Sequence, residues 1–266
     1  VAPQPEITVE DPAFNDELPI DTPFQATGSA VDLPLGHVTV RLLDNMGNVV
    51  DEARVDVPEP LTGAENEWLW TADLLAPDMA AGSRGTLLAY SLSPADGTIV
   101  VADSIDILFG PDDGSGFVAI ADPLPYATVD LAGDEIIVSG YGRGLFENNV
   151  VVQAIDTRGN ILAQAPTTMK TDEIGGAGVW EVTLPLDVVT RGRLVALSPS
   201  PAEGDEAPEK EIEAAVDVYF GDPSTEGSYT VFTYPLPNTV VTNAAAFFAV
   251  AGYAGGLHSD NINVVL

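Results

Sequence analysis

Val38-Thr39-Val40-Arg41-Leu42-Leu43-Asp44-Asn45-Met46-Gly47-Asn48-Val49 reads as a strand, a tight loop and the start of a second strand. Val38, Val40 and Leu42 share one face and Thr39 and Arg41 the other, the period of two that a half-buried strand requires. The loop Asp44 to Asn48 carries Gly47, which supplies the positive φ that a hairpin turn needs. The stretch returns as Val150 to Ile161, with Asp156, Gly159 and Asn160 at the same offsets. It begins a third time at Ile262, Val264 and Leu266, where the sequence ends. The spacing is 112 residues, and Gly28, Gly140 and Gly252 precede the three copies by ten residues each. A one-residue slip would turn every inward side chain outward, so three copies with the same apolar face specify one register.

Outward from this stretch the same pattern continues. Phe24, Ala26 and Gly28 share a face, as do Ile136, Val138 and Gly140, and then Phe248, Val250 and Gly252. Trp68 and Trp70 mark a later strand, copied by Trp180 and Val182. Burying one such indole removes on the order of 200 Å² from water, worth about 5 kcal/mol before entropy costs. Ser93-Pro94-Ala95-Asp96-Gly97 and Ser200-Pro201-Ala202-Glu203-Gly204 form a second matched loop, and helical periodicity is absent apart from a short turn near Ala76 to Ala81. Strands are expected near 6–10, 24–30, 37–43, 48–56, 67–74, 85–92 and 98–109. Seven short strands in about 105 residues predict an all-β fold of tandem immunoglobulin-like β-sandwiches, two complete and a third partial. The units span 1–110, 117–221 and 229–266, joined by Gly/Pro/Ser-rich linkers at 111–116 and 222–228. Each unit opens with an extended segment that carries a proline, at Asp11-Pro12, Asp122-Pro123 and Tyr234-Pro235, and proline near the start of a strand suits an edge position.

The run Val38 to Val49, the tryptophan strand Trp68 to Leu74 and the Ser93 to Gly97 loop resemble the immunoglobulin-like domain of bacterial spore germination. Val150 to Ile161, Trp180 to Leu186 and Ser200 to Gly204 carry the resemblance through the second unit, with Glu203 where the family often has Asp. The third unit matches as far as its third strand. The resemblance covers nearly all of the chain and implies an extracytoplasmic β-sandwich of bacterial surface or secreted proteins. It brings no catalytic residues, and the acidic balance and bare tandem array depart from a germination protein.

The chain holds 41 acids against 9 bases, a formal net charge of −32, and such a surface repels nucleic acid and anionic lipid. The longest apolar stretch, Ala244 to Leu257, is interrupted by Gly252, Gly255 and Gly256 and falls short of the ~18–20 residues of a membrane span. There are no cysteines, which excludes disulfides and thiolate chemistry. Neither nucleic acid nor membrane insertion is expected, and no cofactor.

Candidate chemistry is sparse. His37 and His258 stand at different offsets and neither is paired with a serine motif, so nucleophilic catalysis has no basis. Carboxylate pairs abound among 41 acids and single out no hydrolytic site. Calcium is the metal the linkers would suit, through Asp112, Asp113 and Asp222, with Asp103, Asp106 and Glu226 nearby in sequence. The plainer reading is solvated linker acids. Tyr141 and Tyr253 share an offset held by Ser29 in the first unit, and they suit sugar stacking, an interface, or a half-buried strand position.

The third unit supplies only the first strands of a sandwich, so Phe248, Val250, Ile262 and Val264 lack an opposing sheet. Either the natural protein continues, or a neighbouring subunit supplies the missing strands. The reading is a non-enzymatic, secreted or cell-surface bacterial protein, structural or adhesive, that associates with itself or with neighbouring immunoglobulin-like modules. The alternative is a module for cell-wall or extracellular glycan.

Overall fold

A computed structural model of the chain describes residues 4–57, 67–95, 97–131, 133–199, 212–222, 229–234 and 250–255. The first unit contains β1 (Glu6–Asp11), β2 (Glu17–Leu18), β3 (Phe24–Val31), β4 (His37–Asp44), β5 (Val49–Asp56), β6 (Glu67–Leu74), β7 (Ser83–Leu92) and β8 (Ile99–Phe109). The second repeats the order as β9 (Phe117–Asp122), β10 (Thr128–Val129), β11 (Glu135–Arg143), β12 (Asn149–Asp156), β13 (Ile161–Thr168), β14 (Gly178–Pro185), β15 (Thr190–Ser198) and β16 (Ile212–Phe220). In each unit a three-stranded sheet, β1-β3-β6 or β14-β11-β9, faces a five-stranded sheet, β2-β8-β7-β4-β5 or β10-β16-β15-β12-β13. This is an immunoglobulin-like sandwich with eight strands rather than the seven expected. The additions are the two-residue strands β2 and β10, which pair in parallel with β8 and β16 and are too short to show a period. Pro12 and Pro123 directly follow β1 and β9, each at an edge of its sheet.

The repeated glycine has a specific cause. Gly28 pairs across the sheet with Trp70, and Gly140 with Trp180. A Cβ on Gly28 would overlap the Thr8 carbonyl oxygen and the Trp70 indole, and one on Gly140 the Ala119 carbonyl oxygen and the Trp180 indole. Only glycine lets the ring lie against the strand at that distance. Trp70 and Trp180 are buried at the centre of two separate cores, packed with Val38, Val40 and Leu42 in one and Val150, Val152 and Ala154 in the other. A second pair of glycines, Gly85 and Gly192, lies under the Phe109 and Phe220 rings in the same way.

Both expected hairpins form. Asp44 accepts hydrogen bonds from the Met46 and Asn48 amides at 2.9 and 2.8 Å, and Asp156 from those of Arg158 and Asn160 at 2.8 Å each. Ile136 is buried and Phe24 is half-buried against the first core, whereas Phe248 lies outside the described residues, with Ile262, Val264, Glu203 and His258. Ala76 to Ala81 forms turns, and the one helical turn among the described residues is a 3-10 turn at Phe146–Asn148. Of the third unit the structure describes an antiparallel pair, β17 (Tyr229–Tyr234) with β18 (Ala251–Gly255).

Candidate functional site at the joint between the units

The two complete units meet through the outer face of the first unit's five-stranded sheet. That face carries Leu43 on β4 and Leu88, Tyr90 and Leu92 on β7, and all four are buried in one cluster with Tyr126, which belongs to the second unit. Arg41 is the polar centre of the contact. It is 1% exposed, paired with Glu52 of the neighbouring strand at 2.6 Å, and it donates to the Tyr126 hydroxyl at 3.2 Å. Its guanidinium carbon lies 5.9 Å from the centre of the Tyr90 ring and 5.5 Å from that of Tyr126. A buried cation costs several kcal/mol unless it is paired and hydrogen-bonded, so Arg41 belongs where these partners converge. Burial pulls its pKa down, and Tyr90, Tyr126 and Glu52 more than offset that, leaving a charged guanidinium.

Tyr126 sits in the left-handed region at φ 64, which favours asparagine or glycine over an aromatic residue. Its counterpart in the first unit is Asn15, also at φ 64. The backbone match is close: the Asn15 amide donates to the Asp106 carbonyl at 2.8 Å and the Tyr126 amide to the Asp217 carbonyl at 2.6 Å. Strain of this kind costs about 1–3 kcal/mol. Burying a tyrosine ring returns about 4 kcal/mol, so the contact more than offsets the backbone it demands.

The hairpin tip of the first unit forms a second contact. The Asn45 carbonyl accepts from the Ala215 amide at 2.8 Å, and the Asn45 side-chain amide donates to the Glu213 carbonyl at 2.8 Å. The tip thereby covers main-chain groups of β16, a strand that β10 flanks only at Tyr219 and Phe220. Gly47, at φ +73, lies against the Ala215 carbonyl, while its copy Gly159, at φ +84, faces open space.

A third cluster surrounds Asp106 of β8. Its carboxylate accepts from the Tyr141 hydroxyl at 2.6 Å and from Thr86 at 2.8 Å. Burial pushes this carboxyl above its ordinary value, and Tyr141, Thr86 and Arg84 pull it partly back. Burial, then Asp106, raise the Tyr141 phenol, which stays protonated as a donor. The Arg84 guanidinium lies 3.4 Å from the centre of the Phe117 ring, and Phe14 and Phe117 meet Tyr141 edge-on at 5.5 and 5.7 Å. Sequence reasoning offered three roles for Tyr141, and the geometry is that of an interface. The side chain of Tyr253 lies outside the described residues.

The structure places each of the linker acids that the sequence offered for calcium, Asp112, Asp113 and Asp222. Asp112 is forked by Arg143, which holds its carboxyl far below the ordinary value, and it also accepts from the Gly114 amide at 2.9 Å. Asp113 accepts from the Ser115 amide at 2.8 Å, and Asp222 lies exposed at the far end of the second unit. Asp103 is taken by the Val9 and Ser104 amides. Among the described residues no group of three or more His, Cys, Asp or Glu side chains converges on a metal position. Arginine and main-chain donors reached these carboxylates first. His37 is buried beside the Leu35 carbonyl at 3.2 Å, away from the joint contacts described above, and burial lowers its pKa.

Fold and joint define a tandem immunoglobulin-like protein whose first two units are packed together. Residues 117–205 match the immunoglobulin-like domain of bacterial spore germination. This is the family expected from the turn and core residues, with the match confined to the second unit. The search of curated proteins gives no significant match. Solved structures that align with the chain include the two tandem V-type regions of VCBP3, a v-region-containing chitin binding protein, at 11% identity and a TM-score of 0.37, covering 81% of this chain and 99% of that one. The fibronectin(III)-like modules of Clostridium thermocellum CbhA align at 12% identity and a TM-score of 0.25, covering 83% and 96%. The ICAM-5 D1-D4 ectodomain fragment aligns at 17% identity and a TM-score of 0.23, covering 87% and 56%. No helix among the described residues is long and apolar enough to cross a membrane.

Proposed function

We propose that this chain is a structural or adhesive segment of a bacterial secreted or cell-surface protein, in which immunoglobulin-like units hold a fixed spacing for a filament, sheath or layer. The role is mechanical rather than catalytic. The observation that carries this reading is the joint, where a buried arginine, a buried tyrosine and two hydrogen bonds between Asn45 and the main chain of β16 hold successive units in one arrangement. A net charge of −32 suits an extended array by limiting unspecific clumping. Immunogold labelling of intact cells of the source bacterium tests it. Label on the outer surface in a regular spacing is expected, and label confined to the cell interior would overturn it.

A glycan-binding role is the second reading, favoured by a cleft of about 650 Å³ between the units, lined by Met46, Arg84, Asp113, Phe117, Ile212 and Glu213. The one aromatic ring in that lining, Phe117, is covered on one face by Arg84 and meets Tyr141 at its edge, which leaves little for a sugar to stack on. Retention on cell-wall polysaccharide columns would restore this reading.

A further inference from the structure

We propose that Arg41, Glu52 and Tyr90 form a recognition seat on the first unit for an immunoglobulin-like unit that bears tyrosine at its left-handed turn, and that Tyr126 is the latch that fixes the angle between the two units. The two units obey one blueprint, which makes their differences informative. The second unit carries Gln153 where the first has Arg41 and Gln164 where it has Glu52, and the pair survives as a neutral amide hydrogen bond of 2.8 Å. Leu197 stands in place of Tyr90. The strand geometry is unchanged, so the sandwich itself does not need the charged pair. The charge is needed for what lies on top of it.

The latch shows the same logic from the other side. The turn that follows the first strand takes φ 64 in both units, and asparagine fills it in the first. In sequence, Asn238 stands at this position in the third unit. Tyrosine therefore departs from the residue that the turn itself prefers, and it does so in the unit whose turn meets the Arg41 seat. Position 126 is set by its neighbour across the joint. The same pairing gives order to the array: a unit with asparagine at this turn has no ring for Tyr90 and Arg41 to enclose, and a face with Gln153 and Gln164 has no cation at the Arg41 position to meet a tyrosine hydroxyl, its nearby Arg193 being paired with Asp217 at 2.9 Å. The inference concerns the joint alone and stands whether or not the protein lies on a cell surface.

The test uses the whole chain, whose lack of cysteine lets spin labels be placed uniquely at Thr71→Cys and Thr183→Cys, exposed positions on the three-stranded sheets of the two units. Electron–electron double resonance should give a narrow distance distribution. Tyr126→Asn should broaden it severalfold, and so should Arg41→Gln with Glu52→Gln, which installs the second unit's own amide pair. Tyr126→Phe should broaden it less, since the ring stays. Tryptophan fluorescence on the same samples reports that both cores remain folded. If Tyr126→Asn disturbs the second unit, the Arg41→Gln and Glu52→Gln variant, confined to the first, decides. Distributions as narrow as the parent's in both variants would overturn the proposal.

Discussion

The outer faces of the two five-stranded sheets have the same strand order and different side chains at matching positions. On the first unit the face is a charged pair set among buried apolar side chains, and Tyr126 of the second unit closes over it. On the second unit the position of that charged pair holds an exposed amide pair, beside half-buried Ile155 and Leu197 and an Arg193–Asp217 ion pair of 2.9 Å, and Ile161 is 55% exposed. The inner faces, by contrast, are near copies. A fold is maintained by what its copies share, and its relations with neighbours are written in what they do not share.

The largest effects should fall on the shared part. Trp70→Ala and Trp180→Ala should each cost about 3–5 kcal/mol, because each empties the centre of one core. The cores are separate, so amide exchange should show the loss in the unit that carries the substitution. Equal loss in both units from either variant would break the comparison by making the cores one.

The next effect separates the two faces. Arg41→Ala should destabilise the first unit and the joint by about 3 kcal/mol, since it leaves the Tyr126 hydroxyl and its pocket without their buried partner. Gln153→Ala at the matching position should cost under about 0.5 kcal/mol, as expected of an exposed amide pair. Denaturant midpoints on the two variants give the contrast directly, and equal losses would contradict it.

A gain is expected next. Ser91 and Ser198 occupy matching strand positions, and both hydroxyls are buried without a hydrogen-bond partner among the described residues. Ser91→Ala and Ser198→Ala should therefore each stabilise their own unit by about 1 kcal/mol. A stabilisation in one unit and not the other would reveal a difference between the cores that the repeat hides.

The smallest effect is a pH slope. Arg143 depresses the Asp112 carboxyl, so this pair stabilises the joint above the ordinary carboxylate range and loses that contribution as pH falls through the depressed value. Asp112→Asn should remove this acid-side slope, lying slightly below the parent at neutral pH, by the small amount that an exposed pair contributes, and converging with it in acid, a difference readable in thermal midpoints taken from pH 6 downward.

Much of the fold was legible before any coordinates. The period of two, the recurring Gly28 and Gly140 and the tryptophans placed the long strands close to where they form, because burial of one sheet face leaves a direct imprint on sequence. The short strands β2 and β10 were not legible, having two residues each. The joint was illegible for a different reason. Arg41 and Tyr126 are 85 residues apart and lie in different units, and the search for sameness that revealed the repeat passes over positions where the copies diverge. A signal did exist: an arginine inside an apolar strand, in a chain with only nine bases. The partners of the linker acids were not legible either, since counting carboxylates says nothing of the arginine and amides that bind Asp112 and Asp113.

Amide exchange at Ala215, followed residue by residue in the whole chain, tests most directly whether the first unit reaches across to the second. This amide has its acceptor in the Asn45 carbonyl of the other unit. The account predicts that it exchanges as slowly as its sheet neighbours in β16 and speeds up in the Tyr126→Asn variant. Exchange in the parent chain at the rate of an open, solvated amide would contradict the account.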